Sequence, residues 1–182
     1  MMIDTTTLID SVSAFVQPWA DLYSDNTTLS TGVIAAHILA MFVGGGMAIS
    51  ADRTILRSKP GTADAVRAVV ADLSTTHSIV IGSLSVTVLT GLALLASDVG
   101  NFAVSRVFWV KMASFAILLI NGLRMQRVEK GVMTGLGAAS IHTTEMQLPF
   151  PTKAWSGIRS AAGVSLVMWL IIVLLGVVLT NG

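Results

Sequence analysis

The stretch LSTGVIAAHILAMFVGGGMAIS, residues 29–50, decides what kind of molecule this chain makes. It carries no Asp, Glu, Lys or Arg, encloses His37, and as a helix is long enough to cross a hydrocarbon layer of about 30 Å. Three further apolar runs follow, at roughly Ser74–Ala96, Val107–Leu123 and Ser160–Thr180. The expectation is an all-α integral membrane four-helix bundle, with spans at about 29–50, 74–96, 107–123 and 160–180 of a unit covering residues 29–182, preceded by a tail of residues 1–28.

Composition agrees with a lipid solvent. Hydrophobic residues make up 53% of the 182 and charged residues 12%, with a mean hydropathy of +0.79, whereas a soluble domain carries about a quarter charged residues. A formal net charge of +1 argues against a nucleic-acid partner, which needs a concentrated basic face. With Cys 0 there is neither a disulfide framework nor a thiolate metal site. The first 28 residues hold no Lys or Arg, so they lack the basic region of a signal peptide, and the first span is expected to serve as its own insertion signal.

The placement of charge orients the chain. Arg53, Arg57, Lys59 and Arg67 lie between the first two runs, and Arg124, Arg127, Lys130, Lys153 and Arg159 lie between the last two or at their boundary. The tail has Asp4, Asp10, Asp21 and Asp25 with no basic residue. The positive-inside rule then puts both basic connections in the cytoplasm and both termini outside. Trp109 and Trp155 fall at span ends, where an aromatic belt is expected. In the tail, Leu8, Val12, Phe15, Trp19, Leu22 and Tyr23 recur at helical spacing, as in an amphipathic interfacial helix that Pro18 is expected to break or kink. The connection from Met125 to Ile158 is long and reads as a loop, its segment Gly131–Ile141 lying on the membrane or re-entering it, with an extended turn at Leu148-Pro149-Phe150-Pro151.

Small residues predict how the spans approach one another. Ala36, Ala40, Gly44 and Ala48 repeat every fourth residue, and Ser83, Thr87 and Gly91 form a similar stripe in the second run. Gly44-Gly45-Gly46 suits either close backbone packing or a flat cofactor pressed against Gly45.

The ionisable residues inside the runs carry the chemistry, since such groups are expensive in lipid and usually face a protein interior. A rise of about 1.5 Å per residue places His37 about 21 Å and His77 about 6 Å above the inner boundary. An outer layer then holds His37, Thr87 and Lys111, and an inner layer holds His77 and Asn121, with His142 able to join it if the third connection folds back. His37 and His77 are too far apart to share a metal, whose opposite nitrogen ligands stand roughly 4 Å apart. A haem axial pair would be His77 with His142, or His37 with Met41 of the same helix or with His37 of a second copy. Lys111 suits a counter-ion to an anionic group, such as a haem propionate, or snorkels to headgroups. No Ser-His-Asp arrangement, P-loop or paired intramembrane carboxylates are visible, which argues against hydrolase, ATPase and simple proton-coupled transporter readings.

The segments His37-Ile38-Leu39-Ala40-Met41-Phe42-Val43-Gly44-Gly45, His77 opening the second run, Thr90-Gly91 near its far end, and Phe108-Trp109-Val110-Lys111-Met112 resemble small bacterial four-helix membrane proteins. The likeness is to the copper-resistance-D type membrane domain and nearby b-type cytochrome-like bundles, over about residues 30–125. It implies a multi-pass protein of the bacterial inner membrane, with histidines placed for haem b or copper. Three readings follow: haem binding in a redox or electron-transfer role, with His37 and His77 as metal ligands; copper or small-solute handling through His37, Met41 and Lys111; and a non-catalytic subunit of a homo-oligomer or larger membrane complex.

Overall fold

The structure, a computed structural model, describes residues 5–59, 62–142 and 152–181. It consists of helices α1 (Thr5–Asp25), α2 (Thr27–Arg57), α3 (Ala63–Ser97), α4 (Val99–Val104), α5 (Arg106–His142) and α6 (Thr152–Asn181). Four of them contain a segment long and apolar enough to cross a membrane: Thr27–Arg57, Ala68–Ser97, Arg106–Thr134 and Trp155–Leu179.

Local chemistry sets the helix ends. Asn26 caps α2 by accepting from Leu29 N at 3.0 Å, Thr62 caps α3 through Ala65 N at 3.3 Å, and Asp98 caps α4 through Asn101 N at 3.3 Å. Ser105 does the same for α5 through Phe108 N at 3.3 Å. At the other end of α2, the Ser58 hydroxyl donates to Thr54 O at 2.7 Å. Each cap satisfies a backbone group that the first or last helical turn leaves open.

The long helices pack side by side, α2 between α3 and α6, and α6 between α2 and α5, whereas α3 and α5 touch only lightly. The two small-residue stripes face each other across the α2–α3 contact. A Cβ on Gly44 would come within 2.7 Å of Ser83 Cβ, so only glycine allows that approach. A Cβ on Gly45 would stand 3.1 Å from the Trp169 ring of α6, so the flat group against this backbone is an indole of the same chain.

Two apolar clusters hold the four helices. One gathers Ile55, Val66, Val70, Leu73, Met125, Val132, Trp155 and Ile158 near the ends rich in Arg and Lys, hereafter the basic end. The other, further along the axis, is built on Leu118, Trp169 and Ile172 with Met41, Leu84 and Phe115 against them.

Several expectations change. The segment from Met125 through Ile141 is helical rather than a loop: α5 continues unbroken to His142, and α6 begins at Thr152, before Ser160. The reason is in the spacing of Met125, Glu129 and Val132, which prolongs the buried stripe of Leu118 and Asn121 at helical period. The turn at 148–151 lies outside the described residues. Trp109 is exposed at a span end as a belt residue should be, but Trp155 is buried in the basic-end cluster. The amphipathic tail is helical, and α1 runs through Pro18. It packs against α3, α4 and the start of α2, and the Trp19 indole donates to Ala93 O at 2.8 Å. Phe15, 85% exposed, points away from the rest of the chain with Leu8, Val12 and Leu22.

Candidate functional site

The site grows out of two carboxylates that the apolar runs do not include. Asp52 continues the four-residue repeat of Ala40, Gly44 and Ala48 on α2, and so turns inward; it is 3% exposed. Glu129 lies on the buried stripe of α5 between Met125 and Val132 and is 6% exposed. Both fall inside segments able to span a membrane. Reading the first and third spans as closing at Ser50 and Leu123 left both residues out, although their periodicity with the buried positions was the available signal.

Asp52 lines a cavity of about 100 Å³ together with His77, Asn121, Gln126 and Ser165. That volume has room for about three waters at the ~30 Å³ each occupies in the liquid. Leu73 and Met125 of the basic-end cluster and Leu118 and Trp169 of the other cluster wall it, so the cavity is a polar layer between two apolar ones. Ser165 lies beside Asp52 in the lining of this cavity, and Asn121 Nδ2 donates to Ala161 O at 2.8 Å. Across the loosely packed α3–α5 seam, His77 Nδ1 stands 3.5 Å from Glu129 Oε2. This is longer than an ordinary hydrogen bond of about 2.7–3.2 Å, and becomes an ion pair only when the imidazole is protonated and the carboxyl is not. Asp52 Oδ2 and Glu129 Oε1 find no hydrogen-bond partner among the described residues.

A second polar layer lies beyond the Trp169 cluster. His37 Nδ1 is 2.8 Å from Thr90 Oγ1. The Thr90 hydroxyl also lies 2.7 Å from Val86 O, so it joins the imidazole to the backbone of α3. Gly91 makes the space: a Cβ there would stand 3.3 Å from His37 Cε1. Lys111 belongs to the same layer, its Nζ resting over Gly176 of α6, and Thr87 is buried nearby.

The residues singled out from sequence therefore divide. His37, Thr87 and Lys111 come together, as do His77 and Asn121. Met41 turns into the Trp169 cluster. His142 closes α5, its side chain outside the described part, and its position on the helix is thirteen residues beyond Glu129, about 20 Å along the axis. A fold-back of that segment onto His77 is thus replaced by a helix leading away from it. Thr90, which meets His37, is thirteen residues from His77 on α3, again about 20 Å. The imidazoles of one copy do not converge, and these residues do not fit an iron held between two histidines of the same chain. Among the described residues no three His, Asp or Glu side chains gather as a metal site.

No protein-family model matches this chain, and comparison with curated proteins and with solved structures finds no match.

Proposed function

We propose that this chain is a four-helix membrane bundle, basic end in the cytoplasm and both termini outside, that passes protons across the membrane by way of Asp52, His77 and Glu129. The observation that carries this reading is the pair of buried carboxylates on membrane-spanning segments, each with one oxygen lacking a partner among the described residues. An ionisable side chain kept inside a membrane bundle is costly to hold charged, and groups kept there mark ion and proton pathways. An unsatisfied buried acceptor adds a penalty of about 1–3 kcal/mol. Binding a proton removes the first of these costs, because it neutralises the charge. The cavity beside Asp52 has room for waters to link it with His77, and His77 adjoins Glu129, so proton-binding groups succeed one another across the α3–α5 seam. The His37 and Lys111 layer lies on the far side of the Trp169 cluster, which has to part for passage to be complete. Nine basic residues between or beside the two inner connections support the orientation, by the positive-inside rule.

The test is purified protein in liposomes enclosing a pH-sensitive dye, challenged with a potassium-diffusion potential. The expected result is luminal pH change well above that of empty liposomes, reduced at least tenfold by Asp52→Asn or Glu129→Gln. Rates equal to empty liposomes, or indifferent to both substitutions, would overturn the proposal. An absorption spectrum of the same sample decides on pigment: a Soret band lost on His37→Ala would favour the haem expectation instead.

A further inference from the structure

A further cavity of the described structure lies apart from the polar layers, on the outside of α2. It measures about 350 Å³ and is lined by Gly46, Ile49, Ser50, Arg53, Thr54 and Arg57. The alternating spacing of three and one residues puts all six on a single helix face. This face borders the one used for packing, since Ile49 also touches the Trp169 cluster, and Gly46 lies on its open side. Gly44 and Gly45 meet Ser83 and Trp169, whereas a Cβ on Gly46 would meet nothing within 4 Å.

We infer that this groove binds an anionic phospholipid, its phosphate held between Arg53 and Arg57 and an acyl chain running past Ile49 over Gly46. Charge selects the headgroup. Arg53 and Arg57 are both exposed, lie one turn apart on the same face, and have no carboxylate partner among the described residues. Side chains at this spacing start about 5–6 Å apart, and guanidinium groups so placed can grip one phosphate from two sides with charge-assisted hydrogen bonds. No acidic residue lines the groove. The Thr54 hydroxyl already donates to Ser50 O at 3.1 Å, so recognition falls to the guanidinium groups. Depth selects a lipid over a soluble anion. Gly46 lies seven residues before Arg53, about 10 Å further into a segment that spans the membrane, where its missing side chain opens a channel for a hydrocarbon tail. The site does not depend on proton passage.

Native mass spectrometry of protein released from micelles containing dioleoylphosphatidylglycerol and dioleoylphosphatidylcholine tests this. The wild type is expected to retain phosphatidylglycerol in preference to phosphatidylcholine. Arg53→Ala with Arg57→Ala should lower retention at least fivefold, while Arg124→Ala with Arg127→Ala, which removes the same charge from exposed positions on α5, should leave it within twofold. Gly46→Leu, whose Cβ meets no neighbouring atom in the fold, should also reduce retention with both arginines intact. Equal loss in the two double variants would reduce the effect to diffuse attraction, and thermal stabilisation by inorganic phosphate equal to that by the lipid would make this a phosphate site. Either result overturns the inference, as does retention unchanged in Arg53→Ala with Arg57→Ala.

Discussion

Asp52 shows how far one residue can be read. Its neighbour Arg53 is exposed and headgroup-like, so a hydropathy window ends the span just before the pair, yet the repeat of small residues on α2 carries Asp52 inward. Periodicity rather than hydropathy separates the two. If the carboxylate serves protons rather than packing, Asp52→Asn should preserve shape beside Ser165 while removing a buried charge. The expected melting temperature in detergent is equal to or above that of the wild type, even as proton flux falls. A drop of more than about 4 °C, worth roughly 1 kcal/mol or more for a chain of this size, would mean that the carboxylate holds the fold together. His37 is the complementary case, visible in sequence as an intramembrane histidine, with its partner hidden. Nothing in the spacing along the chain pairs it with Thr90, because that hydrogen bond joins residues 53 apart.

At the level of elements, the glycine run of α2 divides three ways. Gly44 faces α3, Gly45 faces α6 and Gly46 faces outward, as a rotation of about 100° per residue requires. Gly44→Ala is therefore expected to destabilise by about 1–3 kcal/mol through overpacking against Ser83. Gly46→Ala should be neutral or stabilising by up to about 1 kcal/mol, since alanine favours the helix and meets nothing. Unfolding of reconstituted protein by a denaturing detergent compares the two, and equal effects would show that α2 and α3 do not meet as described. The attachment of α1 has a similarly local test. Trp19→Phe keeps the ring beside Tyr23 but loses the bond to Ala93 O, worth about 0.5–1.5 kcal/mol. Faster amide exchange confined to α1, with α5 and α6 unchanged, is the expected readout. The existence of four long apolar helices and their small-residue contacts was legible from sequence, because lipid imposes length and packing imposes periodicity. The length of α5 was not, because beyond Leu123 its charged residues look solvated until the buried stripe beneath them is traced.

For the whole molecule, the proposed orientation has a clean test, because the chain contains no cysteine. Arg57→Cys should react with an impermeant maleimide only after cells are opened, and Asn101→Cys should react in intact cells. The reverse pattern would invert the scheme. The same scale explains what each source of information could decide. The sequence alone determined an apolar, helical chain with four segments long and apolar enough to cross a membrane, and histidines well separated along them, since hydropathy and helical rise are properties of local sequence. Only the tertiary structure decided that Asp52, His77 and Glu129 belong to one end of the molecule, that Trp169 covers Gly45, and that His37 hydrogen-bonds Thr90. These are facts about which helix lies beside which, and about how each is rotated, quantities set by contacts between residues far apart along the chain.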